Sequence, residues 1–177
     1  MLVLKDQVNG KYEEAIAKLE KSEKDYHFYK CISSQADLYF YIMFGNLYES
    51  LELNLMSLRY YMKAKLITDK LLPTNPDCAL VHCNIGSLMI RLREYEWAFR
   101  FFWKAKIIRE YTIGGDTIDT ASIYNNLGVC TFYLQCFYTT NAFFKLSYEI
   151  LKEKLGYLII KFVSLFFLIK DFKYLNL

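Results

Sequence analysis

The chain has 177 residues, of which 54% are hydrophobic and 18% aromatic, with 7 Gly, 2 Pro and a formal charge of +3 from 22 basic and 19 acidic side chains. That length suits one domain with a sizeable core, and so few Gly and Pro exclude both a disordered tail and a strand-and-turn protein. The near balance of charge lacks the basic surface that duplex DNA or anionic lipid demands, so nucleic acid is not an expected partner.

In chain order, Met1 to Asp6 has no basic stretch, apolar run and cleavage site in series, so no signal peptide is read there. Next come Tyr12, Ala15, Leu19 and Ser22, which stand 42 residues before Asn54, Ser57, Tyr61 and Ala64. They define an incomplete repeat over about residues 1–30, most of whose first helix would precede Met1. The segments Tyr41 to Tyr48, His82 to Met89 and Tyr124 to Thr131 then align without gaps on Gly45, Gly86 and Gly128, spaced 41 and 42 residues apart.

Downstream of each glycine a second set keeps one offset: Asn54, Tyr95 and Phe137; Ser57, Ala98 and Thr140; Tyr61, Phe102 and Phe144; Ala64, Ala105 and Ser147. Apolar residues recur at three- and four-residue steps in two runs per unit, which predicts helix hairpins over about 37–67, 78–109 and 120–153. Gly inside a helix costs about 1 kcal/mol against Ala, so three at one register imply close helix approach. Between hairpins, Gly114-Gly115 reads as a turn, with Asp119 or Thr120 expected to cap the following helix.

These columns resemble the tetratricopeptide repeat, whose pattern runs aromatic-x-x-Leu-Gly-x-x-Tyr and then Ala-x-x-x-Phe. The match covers about residues 11–156; it departs at His82, Met89 and Thr131 and lacks the closing Pro. The period exceeds the usual 34, and the linkers together with Ile108-Arg109-Glu110 and Asn125-Asn126-Leu127-Gly128 are similar to the kinesin-light-chain type. The resemblance implies an all-α, right-handed α-solenoid of helix-turn-helix repeats over 1–156.

Residues 157–177 lose the register. The run from Tyr157 to Ile169 contains Lys161 and is shorter than the roughly 20 residues of a spanning helix, so no membrane insertion is expected. Two readings stay open for this segment, an apolar cap on the last repeat around Phe144, Tyr148 and Leu151, or a non-native end. Being apolar all round, it is expected to leave surface through which the chain associates.

No constellation for chemistry is read. His82 occupies a packing column and His27 a polar stretch, and Cys78-x-x-x-His82-Cys83 lacks the second ligand pair of a structural zinc site. The five cysteines, Cys31, Cys78, Cys83, Cys130 and Cys136, read as reduced thiols of a cytoplasmic protein. No phosphate-binding glycine loop occurs. Arg91, Arg93, Arg100, Lys104, Lys106 and Arg109, interrupted by Glu94, Glu96 and Glu110, read as a solvated face. No metal, cofactor or catalytic residue is assigned, and the expectation is a non-enzyme.

The helix faces opposite the core columns carry Tyr39, Met43, Asn46 and Ser50; Leu80, Asn84, Ser87 and Arg91; and Ser122, Asn126, Val129 and Tyr133. Their amides, hydroxyls, arginine and aromatics suit an extended peptide, so the candidate groove is Tyr39, Met43, Asn46, Asn84, Ser87, Arg91, Ser122, Asn126 and Tyr133. The bland alternative is a merely solvated surface. The resemblance implies a scaffold binding a peptide or partner protein, with a motor, cytoskeletal or ciliary setting. A carboxylate clamp for chaperone tails is disfavoured because Ile42 stands where the family's Lys should be. The other reading is a structural segment held in a larger complex by outer aromatics such as Phe99, Trp103, Tyr138 and Phe143.

Overall fold

The computed structural model describes residues 14, 16–18, 20–26, 34–70 and 75–156, and among them no strand occurs. Residues 20–26 are helical. Six helices follow: α1 (Ser34–Ser50), α2 (Asn54–Thr68), α3 (Pro76–Arg91), α4 (Tyr95–Ile113), α5 (Ile118–Tyr133) and α6 (Phe137–Leu155). Tyr12, Ala15, Leu19, His27, Cys31 and the whole of 157–177 lie outside the described residues, and with them the incomplete first repeat and the capping expectation.

The chain divides into two compact units, Met1–Ile67 and Thr68–Leu177. In the first, Phe40, Phe44, Tyr48 and Tyr60 form the core, with Tyr48 and Tyr60 stacked at 5.2 Å. In the second, the hairpins α3–α4 and α5–α6 pack side by side, around Val81, Ile85, Leu88, Phe102, Ala105, Ala121 and Leu127, all fully buried.

Each hairpin is closed in the same way. A β-carbon added to Gly86 would lie 2.9 Å from Phe102 Cε2, and one added to Gly128 would lie 2.5 Å from Phe144 Cε1; Gly45 meets the Tyr61 ring in the same manner. The glycines are therefore the sockets for an aromatic ring on the second helix. The companion small residues Ser57, Ala64, Ala98, Ala105, Thr140 and Ser147 are all buried, and Ser147 Oγ donates to the Ala121 carbonyl across helices at 2.8 Å.

The turns repeat too. Glu52, Arg93 and Gln135 hold positive φ near 60°, and the residue after each closes a six-residue bond: Leu53 N–H to Tyr48 O, Glu94 N–H to Met89 O and Cys136 N–H to Thr131 O, at 2.8–2.9 Å. This is the Schellman arrangement, with a non-glycine residue in the left-handed position.

Two expectations are corrected. The cap of α5 is Thr117, whose hydroxyl accepts from Thr120 N–H at 3.2 Å; Asp119 instead faces Arg109 at 3.4 Å. The basic residues of α4 are not one solvated face. Lys106 and Arg109 fall on the side of α4 turned towards α5 and are largely covered, Lys106 paired with Glu110 at 2.8 Å.

Candidate peptide-binding surface

Helices α3 and α5 touch directly within the second unit. On α3, Asn84 and Ser87 are half-buried and Arg91 is exposed; on α5, Asn126 is half-buried while Ser122 and Tyr133 are exposed. Helical spacing places them in two rows. Asn75 caps α3, accepting from Asp77 N–H at 2.8 Å, with Pro76 at the first helical position, which fixes where this row begins.

The side chains of the two rows differ in how far they are committed. Ser122 Oγ bonds back to the Ile118 carbonyl at 3.0 Å, and the Tyr133 ring stacks on Tyr95 with centroids 4.3 Å apart. Among the described residues, the Ser87 hydroxyl and the Asn126 amide have no hydrogen-bond partner, although both are half-buried. Their polar atoms stay open to solvent and are therefore available to bond a ligand or water.

The flank of this surface holds chemistry that composition and spacing did not single out. Arg109 reaches from α4 to Asp119 on α5, and its buried Nε has no partner. Cys83 lies close enough to Arg109 and Asp119 to feel both charges, and burial pushes its thiol up to about 12, with Arg109 acting in the opposite sense. Burial likewise pushes the Cys130 thiol up to about 12. Both thiols are protonated at neutral pH and so are poor nucleophiles and metal ligands. Cys78, Cys83, Cys130 and Cys136 are free cysteines. The sequence marks Arg109 within Ile108-Arg109-Glu110 and the basic set of α4, but not its reach to Asp119 across the linker.

In the first unit the equivalent face of α1 carries Tyr39 and Met43, 47% and 49% exposed, and Asn46. The Asn46 side-chain oxygen Oδ1 accepts from the Tyr61 hydroxyl at 2.6 Å, beside the Glu49 carboxylate at 2.7 Å, so it also anchors the ring that fills the Gly45 socket. Ile42, at the clamp position, is buried. His82 is buried as well, and its Nδ1–H donates to the Cys78 carbonyl at 2.6 Å. No cluster of three or more His, Cys, Asp or Glu occurs among the described residues. None of the described helices is long and apolar enough to cross a membrane.

No protein-family model matches the sequence, and no curated protein matches it significantly. Solved structures do share the fold. BtubC (BKLC) from P. vanneervenii superposes with a TM-score of 0.71 at 18% identity, over 83% of this chain and 58% of that one. Aspartyl phosphate phosphatase F from Bacillus subtilis superposes with a TM-score of 0.68 at 19% identity, over 78% of this chain and 35% of that one. The chain thus spans 58% and 35% of the lengths of these neighbours. At such identities the likeness is one of fold, and that fold is the all-α, tetratricopeptide-like helical repeat expected from the Gly and Ala columns.

Proposed function

We propose that the chain is a non-catalytic protein-interaction scaffold that holds an extended peptide or a segment of a partner protein along the α3/α5 face. The observation that carries this reading is the pair of half-buried, uncommitted polar side chains, Ser87 and Asn126, facing outward on adjacent helices. A peptide backbone supplies alternating N–H and C=O groups that match a hydroxyl and an amide. Asn84, Arg91, Ser122 and Tyr133 border the same strip, and Tyr39, Met43 and Asn46 make the equivalent surface of α1. The 41–42-residue period supports a cytoplasmic, motor or cytoskeletal setting only through the family resemblance. A non-enzymatic role is supported by the commitment of His82 to a carbonyl and by the protonated thiols.

The test is selection of binding peptides from a random library on the whole chain, followed by affinity measurement on the triple variant Asn84→Ala, Arg91→Ala, Asn126→Ala. Loss of roughly 1 kcal/mol or more per hydrogen-bonded group, a tenfold or greater weakening overall, is expected. Unchanged affinity for every selected peptide would remove these residues from the site.

A second reading, a structural segment packed permanently in a larger assembly, is favoured by the outer aromatics Phe137 and Tyr138, 62% and 90% exposed. Phe99 and Phe143 count less, because their rings are half-buried against each other at 6.3 Å. Light scattering at high concentration separates the two readings: a monodisperse monomer speaks against permanent packing.

A further inference from the structure

The second helix of a stacked hairpin turns one side away from the first-helix faces, and in α4 that side is unlike a solvated surface. Trp97, Trp103, Ile107 and Tyr111 are 52%, 40%, 52% and 75% exposed along it. At 100° per residue Arg100 and Lys104 run between the two indoles, with Ile107 and Tyr111 continuing the stripe for two more turns. Trp97 and Trp103 are the only tryptophans of the chain. The two indoles, Arg100 and Lys104, with neighbouring Phe99 and Phe101, line a shallow hollow of about 350 Å³.

The face carries two exposed cations, Arg100 and Lys104, against one exposed carboxylate, Glu96. The Arg100 guanidinium lies over the Trp97 ring at 5.0 Å, and neither Arg100 nor Lys104 has a carboxylate partner among the described residues, Glu96 one turn before Arg100 included. By contrast Lys106, on the covered side, is paired with Glu110 and lies over Trp103 at 4.7 Å. One period along in α6, the positions of Arg100 and Lys104 are Ala142 and Leu146, and those of Ile107 and Tyr111 are Glu149 and Glu153. One period before, in α2, the two cations recur as Arg59 and Lys63 but the indoles are Met56 and Met62, and Lys63 is paired with Glu23 at 3.3 Å; the indoles are what set α4 apart.

We infer that the outer face of α4 is a second docking surface, distinct from the α3/α5 strip, and that it takes an acidic protein segment carrying bulky apolar side chains. The indoles and Ile107 supply the apolar contact, and Trp and Arg are the residue types that dominate interface energy. Arg100 and Lys104 supply the charge complement that fixes the sign of the partner. An anionic membrane is the poorer match, because polybasic lipid-binding surfaces carry about 4–8 cations and this one has two.

Because both tryptophans lie on the proposed surface, their emission reports binding directly. The whole chain is titrated with three synthetic helical peptides: one of glutamate and leucine, one with lysine for each glutamate, and one with serine for each leucine. The glutamate–leucine peptide should give a saturable blue shift that weakens as salt rises, and the other two should not. Arg100→Glu with Lys104→Glu should weaken that response at least about tenfold while the melting temperature falls by no more than about 2–4 °C, the loss of the exposed Arg100–Trp97 contact, since neither side chain is in an ion pair. Ser87→Ala with Asn126→Ala should leave it intact, which separates this surface from the α3/α5 strip. The proposal is overturned by an equal response to the lysine peptide, by no response to any peptide, by a larger response to phosphatidylserine vesicles, or by a blue shift on concentration alone with dimers in sedimentation, which would make the face a contact between copies.

Discussion

Gly86 shows how a single residue sets the helix spacing of a hairpin. In an open helix, replacing Gly by Ala stabilises by about 1 kcal/mol. At Gly86 the added β-carbon would lie 2.9 Å from Phe102 Cε2 and Cζ, and Phe102 is fully buried, so the ring has nowhere to go. Overpacking of this kind costs about 1–3 kcal/mol, which after the propensity gain of about 1 kcal/mol leaves a net loss of up to about 2 kcal/mol. Gly86→Ala should therefore lower the melting temperature, by up to roughly 8 °C at about 2–4 °C per kcal/mol for a chain of this size, whereas Gly115→Ala, with only ordinary contact to Glu110, should change it little. A Gly86→Ala protein that melted higher would mean that the socket has slack. The glycine columns were legible in the sequence because a helical glycine at constant register is costly without such a use. The left-handed turn positions were not, because Glu52, Arg93 and Gln135 share no residue type and none is the Gly or Asn that usually marks that conformation.

At the scale of helices, α4 and α5 are tied by a polar network that periodicity could not reveal. Tyr124 is buried and donates to Glu110 at 2.7 Å, while Lys106 pairs with the other carboxylate oxygen at 2.8 Å and lies 5.8 Å from the Tyr124 ring centre. The sequence reading put Tyr124 in an aromatic packing column and Lys106 and Glu110 in a solvated face. All three lie where the two helices meet, a placement that depends on which side of α4 the next hairpin covers. Burial opposes ionisation of Glu110, but the hydrogen bonds from Lys106 and Tyr124 outweigh it and hold the carboxyl below its ordinary range. Burial, and then Glu110 as acceptor, push the Tyr124 phenol from 10 up to about 12. A tyrosine whose folded pKa is raised contributes stability that is complete below pH 10 and is lost as the pH climbs to about 12. Tyr124→Phe should cost about 1.5–3 kcal/mol at neutral pH, as a lost bond to a charged acceptor. Denaturant midpoints of wild type and variant should converge between pH 10 and 12. A constant gap across that range would mean that the phenol does not titrate with unfolding. Glu110 has the opposite sense: its share of stability is present above the ordinary carboxylate range and fades as the pH falls through its lowered value.

At the scale of the whole chain, the question is what the last hairpin offers to anything beyond it. Within the second unit, Phe99 and Trp103 of α4 meet Phe143 of α6 at 6.3 and 6.5 Å. One period further, the residues that occupy the positions of Phe99 and Trp103 are Asn141 and Lys145, both exposed, followed by Tyr148 beneath the Lys152 ammonium at 6.0 Å. Phe144 is already committed to the Gly128 socket, and Lys154 is tied to Asp116 at 2.8 Å. At the positions of Phe99 and Trp103, α6 thus carries polar side chains, and although Phe137, Tyr138 and Leu146 are exposed elsewhere along it, this stripe gives an apolar segment little area to cover, at about 25 cal/mol per Å² of apolar surface. Removing residues 157–177 should therefore leave the melting temperature within about 2–4 °C of the full chain, equivalent to no more than about 1 kcal/mol. Because the run from Tyr157 to Ile169 is apolar apart from Lys161 and Ser164, the same deletion should reduce association measured by light scattering at high concentration. A fall in melting temperature well beyond that range would show instead that the segment covers Tyr148 and Leu151 and that the last hairpin depends on it.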